Sequence, residues 1–96
     1  MTPLKAGSTI GILGGGQLGR MLASSAAQLG FDVSIYCPED DCPAARVAAS
    51  HTFGQYNDPA ALLAWAQSCD VVTYEFENVP VTAAEALIAA GITVRP

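Results

Sequence analysis

Apolar residues in this chain fall into short continuous runs that alternate with stretches at helical spacing, from one end to the other. Thr9–Leu13 is a β-branched and apolar run bounded by glycine, which predicts a buried strand. Leu18, Leu22, Ala26 and Leu29 then recur at helical spacing and predict a helix over Gln17–Leu29, with Gly30 as its C-terminal stop. Asp32–Tyr36 predicts a second strand through Val33 and Ile35, ended by Cys37-Pro38 and the acidic loop Glu39-Asp40-Asp41. Pro43 followed by Ala44–Ala49 predicts a short helix, and Thr52-Phe53 a brief third strand.

Asn57-Asp58-Pro59 is a helix start, a capping side chain followed by proline at the first helical position. Leu62, Trp65, Ala66 and Cys69 give that helix one apolar face. Val71–Tyr74 predicts a fourth strand, with Glu75-Phe76-Glu77-Asn78-Val79-Pro80 as the loop beyond its carboxyl end. In the next helix Thr82-x-x-Glu85 fits a capping box, Leu87 and Ile88 fall on the core face, and Gly91 is the stop. Ile92–Val94 predicts a fifth strand. Regular alternation of strand and helix implies right-handed crossovers and a parallel sheet, hence a small doubly wound α/β domain of about five strands. A ligand in such a sheet belongs at the carboxyl ends of the strands, which here sets Gly14–Leu18 opposite Tyr74–Asn78.

Composition narrows this further. At 96 residues the chain is one domain, near the lower end of what buries a sufficient core. Hydrophobic residues at 51% against 14% charged argue for a packed domain, part of whose exterior another domain or subunit covers. The net charge is −5, and the basic residues Lys5, Arg20, Arg46 and Arg95 are scattered, so no basic stripe exists to follow a nucleic-acid backbone. No apolar run is long enough to span a bilayer, and Met1–Ser8 lacks the apolar core of a secretory signal. A cytoplasmic protein is expected, without nucleic-acid or membrane partners. Cys37, Cys42 and Cys69 are odd in number and lack zinc-site spacing, which predicts reduced, partly buried thiols and no metal site. His51 is the single histidine, so neither a triad nor a multi-histidine site can be assembled; it is expected on a strand or strand edge.

The segment Gly14-Gly15-Gly16-Gln17-Leu18-Gly19-Arg20 carries the candidate chemistry. It follows a strand and opens a helix, whose unpaired N–H groups and positive dipole end favour an anion. Gly14-x-Gly16-x-x-Gly19 also has dinucleotide spacing, in which the glycines allow a tight turn, close ligand approach and close helix packing. A nicotinamide site needs an acid near the end of the second strand, but Tyr36 or Cys37 stands there and Glu39 comes only after Pro38. A nicotinamide dinucleotide-binding domain of an oxidoreductase therefore ranks second, and a non-catalytic α/β interaction module third. The polar Tyr74-Glu75-Phe76-Glu77-Asn78 loop on the same edge favours a site. A carboxylate at a strand end accepts hydrogen bonds from vicinal sugar hydroxyls, a role that suits Glu75, while capping or solvation suits Glu77.

Three segments together carry a family resemblance. Gly11-Ile12-Leu13-Gly14-Gly15-Gly16-Gln17-Leu18-Gly19-Arg20-Met21-Leu22, Cys42-Pro43-Ala44, and Val72-Thr73-Tyr74-Glu75-Phe76-Glu77-Asn78-Val79-Pro80 resemble the N-terminal region of the 5-(carboxyamino)imidazole ribonucleotide synthases. These are ATP-grasp ligases of purine biosynthesis. The resemblance implies a Rossmann-like pre-ATP-grasp domain over residues 1–96, with ATP-grasp and C-terminal domains after it. ATP and magnesium bind in those later domains. ATP phosphorylates the co-substrate bicarbonate to carboxyphosphate, and the exocyclic amine of 5-aminoimidazole ribonucleotide takes the carboxyl group. By the same resemblance this chain is a fragment that holds one wall of the ribonucleotide pocket, has no catalytic residue and is inactive alone. Gly15, Gly16, Gln17 and Leu18 fall on the pocket-lining turn and Glu75 on the carboxylate that holds the ribose hydroxyls. Arg20 is the one nearby cation, so basic residues of the later domains complete the phosphate grip. Cys42 stands where the family usually has serine. The full-length enzyme is expected to pack this domain against its ATP-grasp domain and to form a homodimer.

Overall fold

The computed structural model describes residues 5–74 and 79–95. In chain order the elements are β1 (Thr9–Leu13), α1 (Gln17–Gln28), β2 (Asp32–Cys37), a short 3-10 helix (Pro43–Val47), β3 (Ser50–Phe53), α2 (Pro59–Ala66), β4 (Val71–Tyr74) and α3 (Val81–Ala89). All strand pairs are parallel, in the order β3-β2-β1-β4. The chain steps outward from β1 to β3 and then returns to the far side of β1. The direction of winding thus reverses between β1 and β4, where open α/β sheets form their ligand crevice.

Alternation along the strands feeds two separate cores. Ile12 of β1 and Val33, Ile35 and Cys37 of β2 pack with Ala23 and Ala26 of α1 and with Cys42 and Ala44 of the 3-10 segment. Leu13, Tyr36 and Val72 face the other way and meet Leu62, Trp65 and Ala66 of α2 and Ala83 and Leu87 of α3. Both faces are covered, which is the doubly wound arrangement expected of near-continuous apolar parallel strands. On the second face Trp65 Nε1 donates to the buried Ser34 hydroxyl at 2.9 Å.

Four expectations need correction. The sheet has four strands among the described residues, not about five: Val94 makes one bridge to Val72. Its ladder is the Val72 N–H donating to the Thr93 carbonyl at 2.9 Å and the Arg95 N–H to the Val72 carbonyl at 2.8 Å, a single rung. The leucines that set the period of α1 do not face the sheet. Leu18 is 47% exposed and Leu29 72%, while Gly19, Ala23 and Ala26 form the buried stripe. In α3 the capping box does not form. The extended Pro80 is the N-cap and carries no side-chain hydrogen bond, so Thr82 already lies in the first turn. Ile88 is exposed, and Ala83, Ala84 and Leu87 make the core contact instead. By contrast the Asp58 carboxylate accepts from the Ala61 N–H at 3.2 Å and caps α2 as its sequence requires.

Candidate functional site

The glycine turn after β1 is shaped by its own backbone. Gly14 donates to the Tyr36 carbonyl at 2.9 Å, carrying the β1–β2 ladder one step past the strand. It does so at φ 117°, a conformation that only glycine adopts readily. Gly15 lies beneath the thiols of the next segment: a Cβ there would stand 2.6 Å from Cys42 Cβ and 3.0 Å from Cys37 Cβ. Its carbonyl accepts from the Ala44 N–H at 3.0 Å, which docks the 3-10 helix onto the turn. Gly16 caps α1 in an extended conformation, with no side-chain cap and no acidic residue in the first turn. The first bond of the helix is Arg20 N–H to the Gly16 carbonyl, 2.9 Å. The N–H groups of Gln17, Leu18 and Gly19 therefore have no partner within the helix, and the dipole adds positive potential there.

A cavity of about 390 Å³ opens beside this turn, lined by Gly15 and Gly16, by Pro38, Glu39, Asp41, Cys42 and Pro43 after β2, and by Tyr56. Its size suits a small-molecule ligand. Asp41 is held in a two-pronged pair by Arg46, with Nε at 3.3 Å and Nη2 at 2.9 Å. That guanidinium keeps the Asp41 carboxyl below its ordinary value. The pair is solvent-exposed, so its contribution to stability is slight. One wall thus offers backbone donors at a helix start and the other an acidic loop.

Behind that wall the fold brings together Cys37, Cys42 and His51. His51 Nε2 lies 3.1 Å from Cys37 Sγ and 3.8 Å from Cys42 Sγ. All three cysteines are free thiols, Cys37 and Cys42 buried and Cys69 partly so. The Cys37 thiol also donates to the Glu39 carbonyl at 3.1 Å.

Comparison with known proteins now decides the family. The family model of the ribonucleotide synthetase preATP-grasp domain matches residues 7–96. The chain belongs to that preATP-grasp family. Among its relatives, the N5-carboxyaminoimidazole ribonucleotide synthase of Brucella melitensis is 54% identical over 95 residues, 99% of this chain. The crystal structure of N5-carboxyaminoimidazole synthetase from Staphylococcus aureus superposes with a TM-score of 0.85 at 44% identity over 95% of the chain. That of the Aspergillus clavatus synthase, in complex with ADP and 5-aminoimidazole ribonucleotide, gives 0.78 at 38% identity over 95%. The chain spans about a quarter of the length of these relatives, 26% of the first and 24% of each of the other two.

Within this preATP-grasp domain the residues singled out from sequence separate into groups. Gly15 and Gly16 line the cavity, whereas Gln17 and Leu18 sit exposed on the first turn of α1 and do not line it. Leu13 pairs with Tyr74 across β1 and β4, so the glycine turn and the end of β4 are neighbours at the carboxyl edge of the sheet. Glu75, with Phe76, Glu77 and Asn78, lies outside the described residues. Tyr36, at the strand end where a dinucleotide site would carry its acid, is buried in the α2-side core and donates its hydroxyl to the Gln55 carbonyl at 2.6 Å. His51 lies on β3, an edge strand, as expected. Sequence reasoning missed its meeting with the two thiols. Period-two alternation puts Cys37 on the face of Val33 and Ile35, but only the pairing of Ile35 with His51 brings the imidazole to that face.

Burial has a consequence for pH in this preATP-grasp domain. Desolvation, reinforced by the adjacent Cys42 thiol, pushes the Cys37 thiol from its ordinary 9.0 up to about 12. Desolvation, then the nearby Asp58 carboxylate, raises Tyr36 as well. Between about pH 9 and about pH 12 the unfolded chain loses the Cys37 proton while the native chain keeps it, so stability falls as pH rises. The slope is up to about 1.4 kcal/mol per pH unit for each such group. Urea midpoints of the protein, measured with a chelator present, should drop progressively above about pH 9, and Cys37→Ala should flatten the curve. A wild-type midpoint independent of pH over that range contradicts the assignment.

Proposed function

We propose that this chain is the N-terminal, substrate-binding domain of an N5-carboxyaminoimidazole ribonucleotide synthase, the ligase that carboxylates 5-aminoimidazole ribonucleotide with ATP and bicarbonate. The observation that carries this reading is the 54% identity to a synthase of that name across nearly the whole chain. The likeness to a synthase crystallised with ADP and 5-aminoimidazole ribonucleotide supports the same substrate class. In this reading the ATP-grasp and C-terminal domains follow residue 96. The exposed apolar side chains Leu18, Met21 and Leu22 on α1 are the kind of surface that such a neighbour, or a second subunit, covers.

The chemistry asks this domain to bind and orient, not to react. Bicarbonate oxygen attacks the γ-phosphorus of ATP, ADP leaves, and the resulting carboxyphosphate gives its carboxyl carbon to the exocyclic amine of the ribonucleotide with loss of phosphate and a proton. The glycine turn sets Gly15 and Gly16 against the ribonucleotide and contributes backbone donors at Gln17 and Leu18, and Glu75 accepts hydrogen bonds from the ribose hydroxyls. Holding the sugar fixes where the amine points, which is the positioning part of such catalysis. The acidic rim of the cavity, Glu39 and Asp41, gives no grip on a phosphate, so cations of the later domains are assigned that part. Magnesium is not assigned to this domain either. Among the described residues the cluster of three metal-binding side chains is Cys37, Cys42 and His51. Sulfur and nitrogen donors do not suit a hard cation that prefers oxygen.

The test is direct. The full-length protein should release ADP only with bicarbonate present, and form the carboxylated ribonucleotide when 5-aminoimidazole ribonucleotide is added. Residues 1–96 alone should release no ADP above the buffer rate. Bicarbonate-dependent ADP release by residues 1–96 overturns the division of labour between domains, and a full-length protein inert toward the ribonucleotide overturns the substrate.

A further inference from the structure

We infer that Cys37, Cys42 and His51 form a binding site for one soft divalent cation of the zinc class, set into the wall of the cavity beside the glycine turn. The three ligands come from separate elements. Cys37 ends β2, Cys42 is the N-cap of the 3-10 helix, and His51 lies on β3. Their donor atoms lie within 4.8 Å of one another. Sulfur and imidazole nitrogen around tetrahedral zinc stand about 3.5 Å apart, from bond lengths of about 2.3 and about 2.0 Å. The distances from His51 Nε2 to the two sulfurs, 3.1 and 3.8 Å, lie on either side of that value. The two nitrogen–sulfur pairs therefore already stand near the spacing one zinc ion needs, and the two sulfurs lie within 4.8 Å of each other.

Burial and packing support the same conclusion. Both cysteines are almost wholly removed from solvent, at 0% and 2% exposure, in a pocket where two thiols and an imidazole converge instead of the apolar groups that fill the rest of that core. A disulfide would need only the two sulfurs; the imidazole nitrogen within reach of both is a third donor, which a metal uses and a disulfide does not. Cys42 also lines the cavity, so the site lies against it; three protein ligands leave a fourth position of tetrahedral zinc for water or a ligand oxygen. Binding forms two metal–sulfur bonds and one metal–nitrogen bond and releases the two thiol protons to solvent. The site would tie the ends of β2 and β3 to the 3-10 helix and so stiffen one wall of the cavity. None of this depends on the ribonucleotide reading.

Cobalt(II) is the probe, added to the reduced, metal-free full-length protein without oxygen. We expect thiolate-to-cobalt charge-transfer absorption that saturates at one equivalent, with the strong visible bands of tetrahedral coordination, and stoichiometric loss of both when Zn²⁺ is added. Cys42→Ser and His51→Gln should each weaken cobalt binding by at least about a hundredfold, while Cys69→Ser leaves the spectrum unchanged. A readout without variants runs alongside: at urea concentrations that open the buried pocket, Zn²⁺ should slow alkylation of Cys37 and Cys42 more than that of the partly buried Cys69. The inference is overturned by absence of charge-transfer absorption in the wild type, by a spectrum that survives Cys42→Ser or His51→Gln, by loss of the spectrum in Cys69→Ser, or by equal alkylation with and without Zn²⁺. Isolation of the protein with Cys37 and Cys42 joined as a disulfide overturns it as well.

Discussion

Trp65→Ala should destabilise the protein by about 3–5 kcal/mol, a large share of the roughly 5–15 kcal/mol that keeps a domain folded. Trp65 is 4% exposed and is the largest side chain on the face covered by α2 and α3. Its ring packs against Tyr36 with centroids 5.3 Å apart and tilted by 46°. It also lies against the backbone of Gly11 in β1, where a Cβ would stand 2.9 Å from Cζ2. Truncation leaves a void between helix and sheet that the strands cannot close without losing register. It also removes the donor that satisfies the buried Ser34 hydroxyl. Trp65→Phe separates these effects. It keeps most of the buried ring and should cost about 1–3 kcal/mol, mainly through the unsatisfied hydroxyl. Urea unfolding of both variants checks the ranking. A Trp65→Ala midpoint close to wild type shows that α2 does not anchor the sheet.

How far the fold could be read in the sequence depended on whether local pattern or tertiary register set each feature. Strands β1, β2 and β4 and their parallel pairing were legible because each is a short apolar run bracketed by turn residues, with helical stretches between them, whereas the polar β3, Ser50–Phe53, showed only its Thr52-Phe53 end. The start of α2 was legible because Asp58 and Pro59 act within one turn of themselves. The buried face of α1 was not. Leucines and small residues both recur at helical spacing there, and the sheet selects the stripe that lets the helix come close: Gly19, Ala23 and Ala26. Nor was the start of α3, because the helix already begins at Val81, after a Pro80 whose ψ of 139° is still extended, which places Thr82 inside the first turn where it cannot act as a cap.

The candidate site divides in the same way. Gly14, Gly15 and Gly16 declare themselves by glycine content after a strand, and the backbone bonds of Gly14 and Gly15 give the steric reason for two of them. Cys37, Cys42 and His51 carry no spacing signal, because a β2–β3 register and a docked 3-10 helix are needed before they meet. Tyr36 illustrates the limit of motif matching. Its place at the end of β2 argues against a dinucleotide acid from sequence, but its burial toward α2 and its bond to Gln55 appear only once the sheet is assembled.

Glu75 belongs to the proposed ribose grip, and its substitution tests the central assignment in the full-length enzyme. The residue follows Tyr74, whose strand partner Leu13 leads directly into the glycine turn, so the end of β4 and that turn share one edge of the sheet. A carboxylate accepting from a ribose hydroxyl makes a charge-assisted bond of about 1.5–3 kcal/mol. Losing one such bond corresponds to roughly 10- to 150-fold in affinity. The decisive measurement is steady-state kinetics of Glu75→Ala beside Glu77→Ala, varying 5-aminoimidazole ribonucleotide and ATP separately. We expect Glu75→Ala to raise KM for the ribonucleotide by at least about tenfold while KM for ATP stays nearly unchanged, and Glu77→Ala to be mild in both. An unchanged ribonucleotide KM in Glu75→Ala, or a larger defect in Glu77→Ala, contradicts the placement of the ribose at this edge of the sheet.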